Sequence, residues 1–120
     1  MADNRFTGRD EEVAATLTSG GTITAEVDLG NARLVGLRTD ATLTPTVLSF
    51  LTAGSTGNTT KLRTVAGAEF TYPATQSITQ PVDPPTFVHA RFIRVQGGTS
   101  GAVVTQTTAA STITLIVRQP

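Results

Sequence analysis

The chain has 120 residues and no formal net charge, with nine Lys and Arg against nine Asp and Glu, no Cys and one His. A single domain with its own core fits that length, and the missing Cys excludes disulfide scaffolds, thiolate metal sites and thiol nucleophiles. The arginines are scattered, which leaves no basic footprint for a phosphate backbone, so nucleic acid is not an expected partner. Only 15% of residues are charged, against about 25% in ordinary domains, and Thr supplies about one residue in five. A surface so poor in charge suits contact with other protein. Nowhere do about 18 apolar residues run together, so no membrane partner is expected. No signal-like stretch follows Met1, which predicts a mature chain that begins there and is made in a cytoplasm.

Residues 1–14 carry no periodic apolar pattern and read as an extended N-terminal arm, with a short helical turn at R-D-E-E-V-A-A as the alternative. After S-G-G the alternation is strict: Ile23, Ala25, Val27 and Leu29 against Thr22, Thr24, Glu26 and Asp28, the pattern of a half-buried strand. G-N then breaks the chain. A-R-L-V-G-L-R follows as a second strand, with Leu34 and Gly36 expected on one face and Val35 and Leu37 on the other. L-T-P-T-V-L-S-F-L makes a strand after Pro45, and A-G-S-T-G-N-T-T is a polar loop.

Leu62 and Val65 begin a weak strand, and Phe70 alternating with Tyr72 marks an edge that ends at Pro73. Four Pro in residues 73–85 exclude an interior helix or central strand and leave at most a short edge strand at Ile78–Val82. F-V-H-A-R-F-I-R-V reads as one long strand, G-G-T-S-G-A as its turn, and S-T-I-T-L-I-V-R as the closing strand. Seven or eight short strands with Gly and Pro punctuation predict an all-β fold. The expected architecture is an antiparallel, jelly-roll-like β-sandwich over residues 15–120, behind the arm, with a small barrel as the alternative.

The chemistry on offer is thin. His89 is the one imidazole, and as a general base it would need a nucleophile and an orienting acid beside it. The plainer expectation is a strand residue hydrogen-bonded within a sheet or interface. Asp10, Glu11 and Glu12 are the only adjacent acids, and they fall in the arm, where nothing rigid would hold a metal. G-G-T-S-G lacks the Lys and the following helix of a phosphate cradle. Phe50, Phe70, Phe87 and Phe92 are expected core rings. Phe6, with Arg9, Asp10 and Glu11, is the expected protein interface.

Two stretches carry a resemblance: L-V-G-L-R-T-D-A-T-L-T-P-T-V-L-S-F-L-T-A-G-S at 34–55 and A-R-F-I-R-V-Q-G-G-T-S-G-A-V-V-T-Q-T-T-A-A-S-T-I-T-L-I-V-R at 90–118. Together they resemble small β-sandwich virion proteins of tailed bacteriophages, over roughly the last two thirds of the chain. In that pattern an L-x-G-[IL]-R strand leads to an L-x-F-x-x-S strand. An R-[YF]-[IL]-[KR]-[IV] strand then leads to S-G-T-S and a closing T-I-T-L strand. The chain departs at Leu43, where an aromatic is expected, and at Gly97, where Ser is expected.

The motifs are structural, so the resemblance implies a virion location rather than a reaction. The implied role is a non-enzymatic capsid decoration (cement) protein on the capsid exterior, without a cofactor. Its partners would be the major capsid protein and further copies of itself, as a homotrimer. The competing expectation is a receptor- or glycan-binding module of a head fibre or tail, for which Tyr72 is the one tyrosine available. A small hydrolase is a third.

Overall fold

The computed structural model describes residues 9–64, 66–82, 84–87, 89–107 and 109–119. Alternation of apolar and polar side chains is clearest in β10 (Ser111–Gln119), where Ile113, Leu115 and Val117 point inward and Thr112 and Arg118 outward. That strand lies between β1 (Arg9–Leu17) and β3 (Arg33–Arg38), with β7 (Thr79–Pro81) beyond β3. The second sheet has the order β2 (Val27–Asp28), β8 (Phe92–Thr99), β4 (Val47–Ala53), β5 (Thr60–Lys61). β6 (Thr71–Pro73) also pairs with β4, and β9 (Ala102–Val103) with β8.

All these pairings are antiparallel, and no α-helix occurs among the described residues. The fold is an all-β sandwich, as the pattern predicted. Leu17, Leu34, Leu37, Ile113 and Leu115 from one sheet meet Leu48, Phe50, Ile93 and Val95 from the other in one core. Each such side chain gains about 1.5–3 kcal/mol by leaving water. Phe50 and Phe87 meet edge to face at 5.2 Å, and Phe70 packs on both at 5.9 and 5.6 Å.

Four expectations about elements change. Residues 9–14, expected in the arm, are extended but paired: β1 runs in register with β10 from Arg9↔Gln119 to Leu17↔Ser111. The expected boundary after residue 14 therefore falls inside a strand. Only Val13, Ala15 and Leu17 of β1 turn inward, too short a period to stand out behind four charged residues. Residues 1–8, Phe6 included, lie outside the described residues.

In segment 22–29 the burial is reversed around Thr24, which is buried while Ala25 is exposed. The Thr24 hydroxyl accepts a hydrogen bond from the Val95 amide at 3.0 Å and the Thr24 amide donates to the Val95 carbonyl at 2.9 Å. A side chain thus takes one place in the ladder, and regular pairing is left to β2 and an isolated bridge at Ile23↔Gln96. In β3 the register shifts opposite Ile116/Val117, which brings Leu34 and Leu37 to the same, inner face although they are three residues apart.

Residues 87–95 are not one strand. Pro84–Phe87 form a 3-10 turn, His89 follows in a turn, and β8 begins at Phe92. The Ala90 amide donates to the Phe87 carbonyl at 2.9 Å, closing the turn and sending the Phe87 ring into the core. Phe92 is buried but lies outside the main core cluster, with the Arg91 guanidinium 5.0 Å from its ring centre.

The departure from Ser at position 97 has a steric cause. A Cβ on Gly97 would stand 2.5 Å from the Val104 carbonyl oxygen and 2.7 Å from Cγ of Pro45. Gly98, at φ +77°, then turns the chain toward β9.

Candidate functional site

A half-open groove of about 220 Å³ lies where the turn after β2 meets the segment before β8, between residues 30–33 and 89–91. Local chemistry shapes both walls. Asp28 accepts a hydrogen bond from the Gly30 amide at 2.8 Å, Gly30 takes φ +61°, and the Ala32 amide donates to the Leu29 carbonyl at 3.0 Å. This is the compact turn that Asp and Gly together favour. The walls are tied by the Leu29 amide donating to the Arg91 carbonyl at 2.7 Å. Arg91 adds a bidentate pair to Asp28, with Nε 2.9 Å and Nη2 3.2 Å from its oxygens.

Ala32 and Ala90 are part of the groove lining and are both buried members of the core. Arg33, His89 and Arg91 are exposed around it. The hydrogen bond from Arg91, followed by that from the Gly30 amide, holds the Asp28 carboxyl below its ordinary range. The residues lining the groove include no hydroxyl, thiol or carboxylate, so His89 has no nucleophile or orienting acid among them. The cationic group on the lining not matched by a carboxylate of the described residues is Arg33, beside His89 and the Asp28-paired Arg91.

The expected interface residues are placed as follows. Arg9 opens β1 opposite Gln119. Asp10 pairs with Arg118 at 2.8 Å, and Glu11 accepts from the Gln119 amide group at 3.0 Å. Neighbouring Glu12 takes both terminal nitrogens of Arg38 at 2.7 and 2.5 Å. These guanidiniums lower the carboxyls of Asp10 and Glu12 from their ordinary values. The charges at 10–12 thus bind the sheet to itself across β10, as exposed pairs of modest worth. Tyr72 stacks with Phe70 at 6.3 Å, and its hydroxyl donates to the Pro81 carbonyl.

Two polar centres escaped the sequence reading. Asp40 accepts from the Ser111 hydroxyl at 2.6 Å, the Thr112 amide at 2.8 Å, and the amide and hydroxyl of Thr42 at 3.1 and 2.9 Å. Gln106 is fully buried; it donates to the carbonyls of Thr42 and Ala109 at 2.5 and 2.9 Å and accepts from the Thr44 amide at 2.8 Å. The D-x-T spacing of Asp40 and Thr42 was a readable turn signal, whereas nothing local marks Gln106. In the G-G-T-S-G turn the anion is internal: the Glu69 carboxylate accepts from the Ser100 amide and hydroxyl, each at 3.1 Å. Among the described residues, no group of three or more His, Asp or Glu is placed to hold a metal, and no helix is long and apolar enough to cross a membrane.

No protein-family model matches the chain, and a search of curated proteins finds no match. Among solved structures, the fold is similar to that of the SPBc2 prophage-derived protein YomS, with a TM-score of 0.54 and 16% identity. The likeness covers 92% of this chain and 96% of that one, so the two share one architecture from end to end.

Proposed function

We propose that the chain is a non-enzymatic structural protein of a tailed-phage virion, a decoration (cement) protein bound as a homotrimer to the major capsid protein at capsomer junctions. The observation that carries this reading is the end-to-end likeness to a prophage-derived protein, 92% of one chain against 96% of the other. The motif resemblance to phage virion β-sandwiches, drawn from different information, points the same way.

The surface fits an adhesive role. The β8–β9 hairpin and the two residues after it, T-S-G-A-V-V-T at 99–105, carry no charge and leave Val103 and Val104 51% and 36% exposed. Thr16 and Thr112 present hydroxyls on the outer face of the first sheet. Such a surface can be desolvated on a partner at lower cost than a charged one, and a stable contact needs about 1,000 Å² or more. Phe6 and Arg9 at the start of the chain are proposed as further contacts. The glycan-binding alternative gains nothing from Tyr72, whose ring and hydroxyl are both taken up within the chain.

The test is protein mass spectrometry of density-purified particles from the source of the gene. The reading predicts this chain in the particles at a copy number comparable to that of the capsomers. Its absence from intact particles, with the chain present in the lysate, would overturn it.

A further inference from the structure

We infer that the groove between residues 30–33 and 89–91 is a recognition notch for the carboxylate side chains of an acidic peptide segment. The inference stands whether or not the protein joins a particle, because it rests on the groove alone. Three described arginines are matched to carboxylates of the chain itself: Arg38 to Glu12, Arg91 to Asp28 and Arg118 to Asp10. Among the described residues Arg33 has no carboxylate partner; Arg63 and Arg94 reach only backbone carbonyls, and of these three Arg33 is the one on the wall of the groove, with His89 and Arg91. Asp28 neutralises Arg91, so the net positive charge of the notch is that of Arg33.

Donor geometry specifies the ligand further. Arg33 offers a planar fork that matches a carboxylate bidentately. Arg91 is held in place by its Nε and Nη2 bonds to Asp28 and by the Phe92 ring, leaving Nη1 for a second contact. His89 adds a ring N–H, and Asn31 a side-chain amide, both exposed on the groove lining. The volume of about 220 Å³ is below the roughly 300–1,000 Å³ of small-molecule pockets, which suits one or two side chains of a passing segment rather than a whole metabolite.

The fixed partner of Arg91 also shapes selectivity. Asp28 would repel a second carboxylate placed beside it, so the anion is directed toward Arg33 and away from the β2 side of the groove. A basic peptide would meet Arg33 and find only Asp28, already bonded on both oxygens.

Amide chemical-shift titration of the isotope-labelled protein with a tetraglutamate peptide at low salt tests this, with tetralysine and inorganic phosphate run alongside. The expected result is saturable shifts at Asn31, Arg33, His89 and Arg91. Arg33→Glu should weaken binding about tenfold or more while the spectrum elsewhere stays folded, and Lys61→Glu, remote on β5, should bind as the parent does. No saturation, equal losses in both variants, or phosphate binding as tightly as tetraglutamate would each overturn the assignment.

Discussion

Asp40 shows how one side chain can organise a loop without taking part in any chemistry. Burial is the largest single influence on its carboxyl and pushes it up, but the hydrogen bonds from Ser111, Thr112 and Thr42 together outweigh burial and leave it below its ordinary 3.8. A carboxyl lowered on folding stabilises the native state above its unfolded value, and that stability is lost as pH falls through the folded value. Asp40→Asn should therefore cost about 1–3 kcal/mol at pH 7 in urea unfolding, and the gap to the parent should narrow below about pH 4. An equal gap at pH 7 and pH 3 would contradict the role of the charge. His89→Gln, at an exposed turn, should change stability by less than about 0.5 kcal/mol, whereas Phe50→Ala should cost about 3–5 kcal/mol. Phe92→Ala should fall between them, because its ring lies outside the main cluster, beneath Arg91.

The elements divide by how local their causes are. β4, β10 and the short edge strand at Thr79–Pro81 are legible because alternation, Pro and Gly act within a few residues, whereas β3 is legible as a strand but not in its facing, which the register shift opposite Ile116/Val117 sets. The inversion at Thr24 was not, since it depends on the Val95 amide 71 positions away. The turn at His89 was likewise hidden: an apolar β-branched run reads as strand until Phe87 is drawn into the aromatic cluster. Of the groove, only His89 was singled out from sequence; Arg33 and Arg91 gain meaning from the turn that brings the two segments together.

Two changes test the elements. Gly97→Ser should destabilise the protein by about 1–3 kcal/mol, because the new Cβ meets backbone at Val104 and the Pro45 ring. Removing residues 1–8 should leave the thermal transition in place, whereas removing 1–14 should lower it sharply by stripping six of the nine paired residues of β1 from β10. Unchanged melting in the longer deletion would show that β1 contributes little to the sandwich.

At the scale of the whole molecule, the chain is poor in charge, three of its described arginines are paired with its own carboxylates, and its fold is similar to that of a prophage-derived protein. Under the proposed decoration role the exposed hairpin valines are contact groups, so Val103→Asp should leave folding intact and weaken attachment to particles, read by co-sedimentation. The most direct measurement is a high-resolution imaging map of the intact particle. The account predicts density that the two-sheet sandwich fits on the outer capsid surface at threefold or quasi-threefold junctions, with hairpin 99–105 against the shell. Bare junctions, or the same density confined to a tail or head fibre, would contradict it.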